Sequence, residues 1–107
     1  MKVVVVEPGR TPHVKDIENG LKSMQEVVGG YIEMFYPLDH DDDTVFICNE
    51  EGKMNGMEPN RVIRDTRGNL VDVIYGPFFI CRAPIWSEDF ESLSREQCDK
   101  YIQKYML

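Results

Sequence analysis

The sequence predicts an α+β fold: a mostly antiparallel sheet of about four to six strands, packed by an early amphipathic helix and a C-terminal helix. Three observations predict it. The chain opens on a β-branched run, strand-like segments are grouped through its middle, and helical patterns stand near its start and at its end. Its 107 residues, 42% hydrophobic and 29% charged, have the length of one domain, residues 1–107, and the composition of a chain that folds.

The opening "KVVVVEPG" is apolar at successive positions, so both of its faces are expected to be covered, as in a buried central strand ended by Pro8-Gly9. In "GRTPHVKDIENGLKSMQEVVGG", Thr11 is a candidate N-cap and Pro12 a first helical residue. Val14, Ile17, Leu21, Met24 and Val28 follow at steps of three and four, predicting one helix that stops at Gly29-Gly30. Gly20 lies inside that pattern and weakens it.

"YIEMFYPL" alternates and is rich in aromatic and β-branched residues, predicting a strand ended by Pro37. "TVFICN" is a second strand that should pair with it as a hairpin, with "DHDDD" at the tip. "RVIRDTRGNLVDVIYG" reads as a short strand or helical turn, a turn at Thr66-Arg67-Gly68-Asn69, and a strand from Leu70 to Ile74. "GPFFICRAPIW" is a further strand bounded by Pro77 and Pro84. Ser94 and Gln97 have the spacing of a capping box, and Leu93, Gln97, Tyr101, Ile102, Tyr105 and Met106 give the last helix an apolar stripe.

Nineteen acidic side chains against 12 basic ones leave a formal charge of -7, which repels phosphate backbones and argues against general nucleic-acid binding. An anionic ligand would need a local cluster of cations. The apolar runs are too short to span a bilayer and no leader pattern is present, so no membrane association and a cytoplasmic location are expected. Cys48, Cys81 and Cys98 are odd in number and lack metal-ligand spacing, which predicts three reduced, buried thiols and no zinc.

Few patterns carry chemistry. Asp39, Asp41 and Asp43 have the alternation of a calcium loop, but the sixth position of that loop is Thr44 where glycine is needed, so a solvated hairpin tip is the stronger reading. His13 and His40 stand near no nucleophile in a recognised pattern, no glycine spacing of a nucleotide cradle occurs, and no cofactor is expected. Arg10 and His13 flank what reads as a helix start, a weak anion site.

The richest stretch is "ICNEEGKMNGMEPNRVIRD". Its asparagines and glycines fit linked turns. Beyond those turns, Lys53, Arg61 and Arg64 offer donors to an anion, beside Asn49, Glu50 and Asn60. These six residues are the expected ligand-binding group, and no catalytic residue is assigned.

"VEPG", "GLKSMQEVVGGYIEMFYP", "ICNEEGKMNGMEPNRVIRD" and "YGPFFIC" together resemble the domain of unknown function 3846 family, small proteins of bacterial plasmids, conjugative elements and phages. The resemblance implies an accessory protein of a mobile element and supplies no reaction. The expected function is a non-enzymatic binding module for a protein or a small anionic ligand such as a nucleotide. The alternative is a small hydrolase or nuclease-type enzyme in which Glu33, Glu50 or Glu51 is the base and Arg61 stabilises developing charge. Phe78, Phe79, Ile80, Ile85 and Trp86 exceed what one sheet face needs, which leaves two readings open: a homodimer through an exposed edge or patch, or both helices covering these residues.

Overall fold

A computed structural model describes residues 1–37 and 43–107, and shows seven strands and two helices over those residues. Strands β1 (Lys2–Val6), β2 (His13–Asp16), β3 (Ile32–Phe35), β4 (Thr44–Asn49) and β7 (Phe78–Arg82) form one antiparallel sheet, ordered β2-β1-β7-β4-β3. Strands β5 (Pro59–Arg64) and β6 (Leu70–Tyr75) form a separate two-stranded hairpin. Helix α1 is Leu21–Val28 and helix α2 is Arg95–Lys104. The fold is α+β, with a radius of gyration of 12.8 Å, close to the ~13 Å of a compact chain of this length.

The apolar runs of β1, β4 and β7 have a simple cause: the five-stranded sheet is covered on both faces. Val3, Val5, Val45, Ile47, Phe79 and Cys81 point to the α1 side with Met24 and Val28. Val4, Val6, Phe46, Cys48, Phe78 and Ile80 point to the other side, where Tyr101 of α2, its C-cap Tyr105, and Ile63 and Ile74 of the hairpin close over them. The second face is aromatic at its centre. Phe46 stacks on Phe78 at 5.5 Å between ring centroids and meets Tyr101 and Tyr105 edge-on at 6.0 and 5.9 Å, arrangements that aromatic quadrupoles favour. Thr44 Oγ1 and the Tyr101 hydroxyl share a buried hydrogen bond of 2.7 Å.

Three expectations are corrected. The helix expected from Thr11 to Val28 is a strand followed by a shorter helix, whose N-cap is Gly20. His13–Asp16 pairs with β1, Val4 opposite Val14, because an unpaired β1 edge offers this segment a complete ladder while Gly20 breaks the helical run. The loop at Arg10 and His13 therefore leads into a strand and no helix terminus is available to an anion there. Second, β7 lies in the middle of the sheet and β1 beside it. Third, Phe78, Phe79 and Ile80, counted as dimer surface, are fully buried in that central strand, whereas Ile85 and Trp86 in the following loop stand in solvent.

The β3–β4 hairpin forms as expected, Met34 opposite Ile47, and the turn at 66–69 joins β5 to β6. The proposed hairpin tip and calcium alternation lie outside the described residues apart from Asp43, as does His40. At α2 the capping box is complete: Ser94 Oγ accepts from the Gln97 amide and Gln97 Oε1 accepts from the Ser94 amide. All three cysteines are free and buried.

Candidate functional site

Between the β3–β4 edge of the large sheet and strand β6 of the hairpin lies a cleft of about 310 Å³. The chain's polar stretch forms its end wall. Asn49 closes β4, its amide donating to the Val28 carbonyl at 3.1 Å and its Oδ1 accepting from the Glu51 amide at 2.8 Å. One helical turn follows, with the Asn55 amide bonded to the Glu51 carbonyl and Met57 to Gly52. Linked turns thus account for the asparagines and glycines here, as the sequence suggests. Gly52 is required by contact: a Cβ there would stand 2.6 Å from the Tyr75 carbonyl oxygen. The turn is thereby seated on the base of β6.

Phe35, Cys48 and Ile74 make the cleft's floor apolar, and its rim carries Glu33, Glu50, Glu51, Asp72 and Lys53. Glu33 is opposite Cys48 in the β3–β4 register, which places both on the cleft side of the sheet. Asp72 is opposite Ile63 in the hairpin, so it points inward although charged. Lys53 answers it with a 3.0 Å ion pair and sits 5.7 Å over the Tyr75 ring. The hydrogen bond and charge of Asp72 hold the Lys53 amine above its ordinary value. Burial first, then the charges of Glu33 and Asp72, push the Cys48 thiol up to about 12. Cys48 is therefore held as the protonated thiol at neutral pH.

The six expected ligand residues divide. Asn49, Glu50 and Lys53 line this cleft. Arg61 and Arg64 line a different depression of about 510 Å³ beside Lys104 and Met106 at the end of α2. Asn60 lies in the join between hairpin and sheet, its amide donating to the Val6 and Gly76 carbonyls at 2.9 and 2.8 Å. The Glu33, Glu50 and Glu51 of the enzyme reading share the cleft, and the Arg61 that reading needs is elsewhere.

Arg61 is 8% exposed, and among the described residues no carboxylate pairs with it. Its donors go instead to backbone carbonyls and one side-chain amide oxygen: Nε to Tyr105 at 3.0 Å, Nη2 to Arg10 at 2.6 Å, and Nη1 to the Asn60 carbonyl and Oδ1 at 3.0 and 2.7 Å. The Tyr105 carbonyl belongs to the C-terminal end of α2, where the helix dipole favours a cation. Burial draws the guanidinium below its ordinary pKa, though an arginine stays charged. Arg64 donates to the Gly68 carbonyl across the β5–β6 turn at 2.9 Å.

Phe35, Asp72 and Tyr75 are cleft residues that the sequence reading did not assign to a site. A signal for Asp72 was present: in "LVDVIY" it alternates in step with the buried Ile74. On the far side of the 49–55 turn a second hollow of about 300 Å³ is lined by Gln25, Tyr31 and Asn55, with Asn49 and Glu51 common to both.

Fold and cleft define a small α+β protein in which a hairpin overlies a twice-covered sheet. The chain belongs to the family described as Domain of unknown function (DUF3846), whose model matches residues 1–106. No curated protein and no solved structure matches it. No helix among the described residues is long and apolar enough to cross a membrane.

Proposed function

We propose that the protein is a non-enzymatic binding module whose ligand occupies the cleft between β3–β4 and β6. One observation carries this reading: an apolar floor of Phe35, Cys48 and Ile74 is ringed by polar groups, the usual construction of a small-ligand site. The rim carries four carboxylates against one lysine that is already paired, so it favours a ligand with an apolar body and a cationic or donor head. A nucleotide-like anion, suggested by Lys53, Arg61 and Arg64 together, finds those cations apart. The family resemblance supports an accessory role in a bacterial mobile element or phage, with the reading of the cleft standing on its own.

A thermal-shift screen with phenethylamine, adenosine monophosphate and divalent metals tests this. Phenethylamine should raise the melting temperature in a concentration-dependent way, and less so in Glu33→Gln. A shift by the nucleotide alone, or metal-dependent turnover of it, overturns the proposal.

A further inference from the structure

Lys53 is the one cation among the residues that line the cleft, and the cleft itself sets its position. It leaves the turn after β4 and reaches across to β6, where Nζ donates to Asp72 Oδ1 at 3.0 Å and stands 5.7 Å from the centre of the Tyr75 ring. A carboxylate beside an aromatic face is an arrangement suited to holding an ammonium group. The carboxylate is oriented independently of the lysine, because the Val73 amide donates to the same Asp72 oxygen at 2.7 Å. Lys100 and Lys104 also lie over tyrosine rings, but each over the residue that follows it in the chain, a contact of local geometry. Lys53 instead reaches a ring on another element. The hydrogen bond and charge of Asp72, with a smaller contribution from Glu33, favour a cation at this point.

We propose that Asp72 and Tyr75 are the head-group site of the cleft, selective for a primary alkylammonium, and that Lys53 fills this site in the ligand-free chain as a built-in competitor. The inference rests on the cleft being a ligand site and names what the ligand's cationic head meets there. An amine whose apolar body lies on Phe35, Cys48 and Ile74 exchanges one ammonium for another at Asp72, so the carboxylate keeps a partner throughout. Release needs only rotation of the Lys53 side chain, which is 61% exposed. Strand β6 keeps its full register with β5, Asp72 opposite Ile63. An exposed ion pair is weak, so the competitor lowers affinity without closing the site. Lys53 and Cys48 line the same cleft, so freeing the lysine side chain from β6 also opens the floor to small reagents.

A double-mutant cycle tests this, with phenethylamine titrated into each variant and binding read from backbone amide shifts by NMR. Lys53→Met keeps the length of the side chain and removes the ammonium, and should bind phenethylamine about two- to fivefold more tightly than the wild type, the factor that loss of an exposed ion pair implies. In an Asp72→Asn background the same substitution should give no gain, because Lys53 is no longer held at the site. Phenethyl alcohol, with the same apolar body and a neutral head, should gain nothing from Lys53→Met. Lys22→Met, an equal change of charge on α1, should match the wild type. The proposal is overturned if Lys53→Met binds no more tightly, if the gain persists with Asp72→Asn, which is repulsion through space, or if the alcohol gains equally, which is added room. A wild type that binds phenethylamine in the cleft with no gain in Lys53→Met removes the competitor and leaves the binding reading standing. Binding by Lys53→Met alone would support the head-group site and remove the binding reading for the unaltered chain, whereas silence in both removes the two together.

Discussion

Along β5 the hairpin is held by a buried guanidinium bonded to backbone carbonyls, and along β6 by an ion pair in solvent. Both margins use a cation from the same polar stretch of sequence, and burial separates their roles. A desolvated Arg61 whose three guanidinium nitrogens each donate to the chain is costly to remove, because the carbonyls of Arg10, Tyr105 and Asn60 lose their partner. An exposed Lys53 loses little when its partner moves away, because water takes over. A cation in a loop is therefore no sign of a ligand until its own partners are known.

The largest effect should come from Arg61→Met, which breaks the fixed margin. We expect a loss of about 2–4 kcal/mol in urea unfolding, given that hydrogen bonds to charged groups are worth roughly 1.5–3 kcal/mol and buried acceptors lose their partners. A loss below about 1 kcal/mol would place Arg61 in the same class as Lys53 and dissolve the contrast. Next is Gly52→Ala, which forces a methyl against the Tyr75 carbonyl where the cleft's end wall meets β6. Overpacking of this kind costs about 1–3 kcal/mol, and circular dichroism melts should show a lowered midpoint with the secondary structure retained.

A smaller effect is alkaline. Cys48 and Cys81 both have thiols raised from 9.0 to about 12 by burial. The unfolded chain ionises these thiols first, so their contribution is fully present below pH 9 and is lost as pH rises towards 12. Cys48→Ala should flatten that decline. An unchanged decline would mean that Cys48 already meets water through an open cleft.

Much of the fold is legible in the residues. Runs such as "VVVV", "VFIC" and "FFIC" are apolar on both faces because helices or the hairpin cover both sides of the sheet, and Ser94 with Gln97 marks the start of α2 without tertiary help. β2 is not legible: all four of its residues are exposed, so its strand state comes from the β1 edge and not from its own pattern. The site is half legible. Asn49, Glu50 and Lys53 stand together because adjacent residues in a turn stay adjacent in space. Arg61 misleads because its partners, Arg10 and Tyr105, lie far off in sequence and are backbone atoms that any residue would supply. Asp72 is hidden for the converse reason, its role depending on Lys53 across the gap between the turn after β4 and the hairpin.

The asymmetry of the hairpin is tested most directly by placing Arg61→Met and Lys53→Met side by side, measuring urea stability and N-ethylmaleimide labelling of Cys48 on the same samples. Arg61→Met should lower stability and expose all three cysteines in step with global unfolding. Lys53→Met should leave the urea midpoint nearly unchanged and speed Cys48 alone. Two variants that behave alike, in either pattern, would contradict a hairpin held by a buried guanidinium on one strand and by an exposed ion pair on the other.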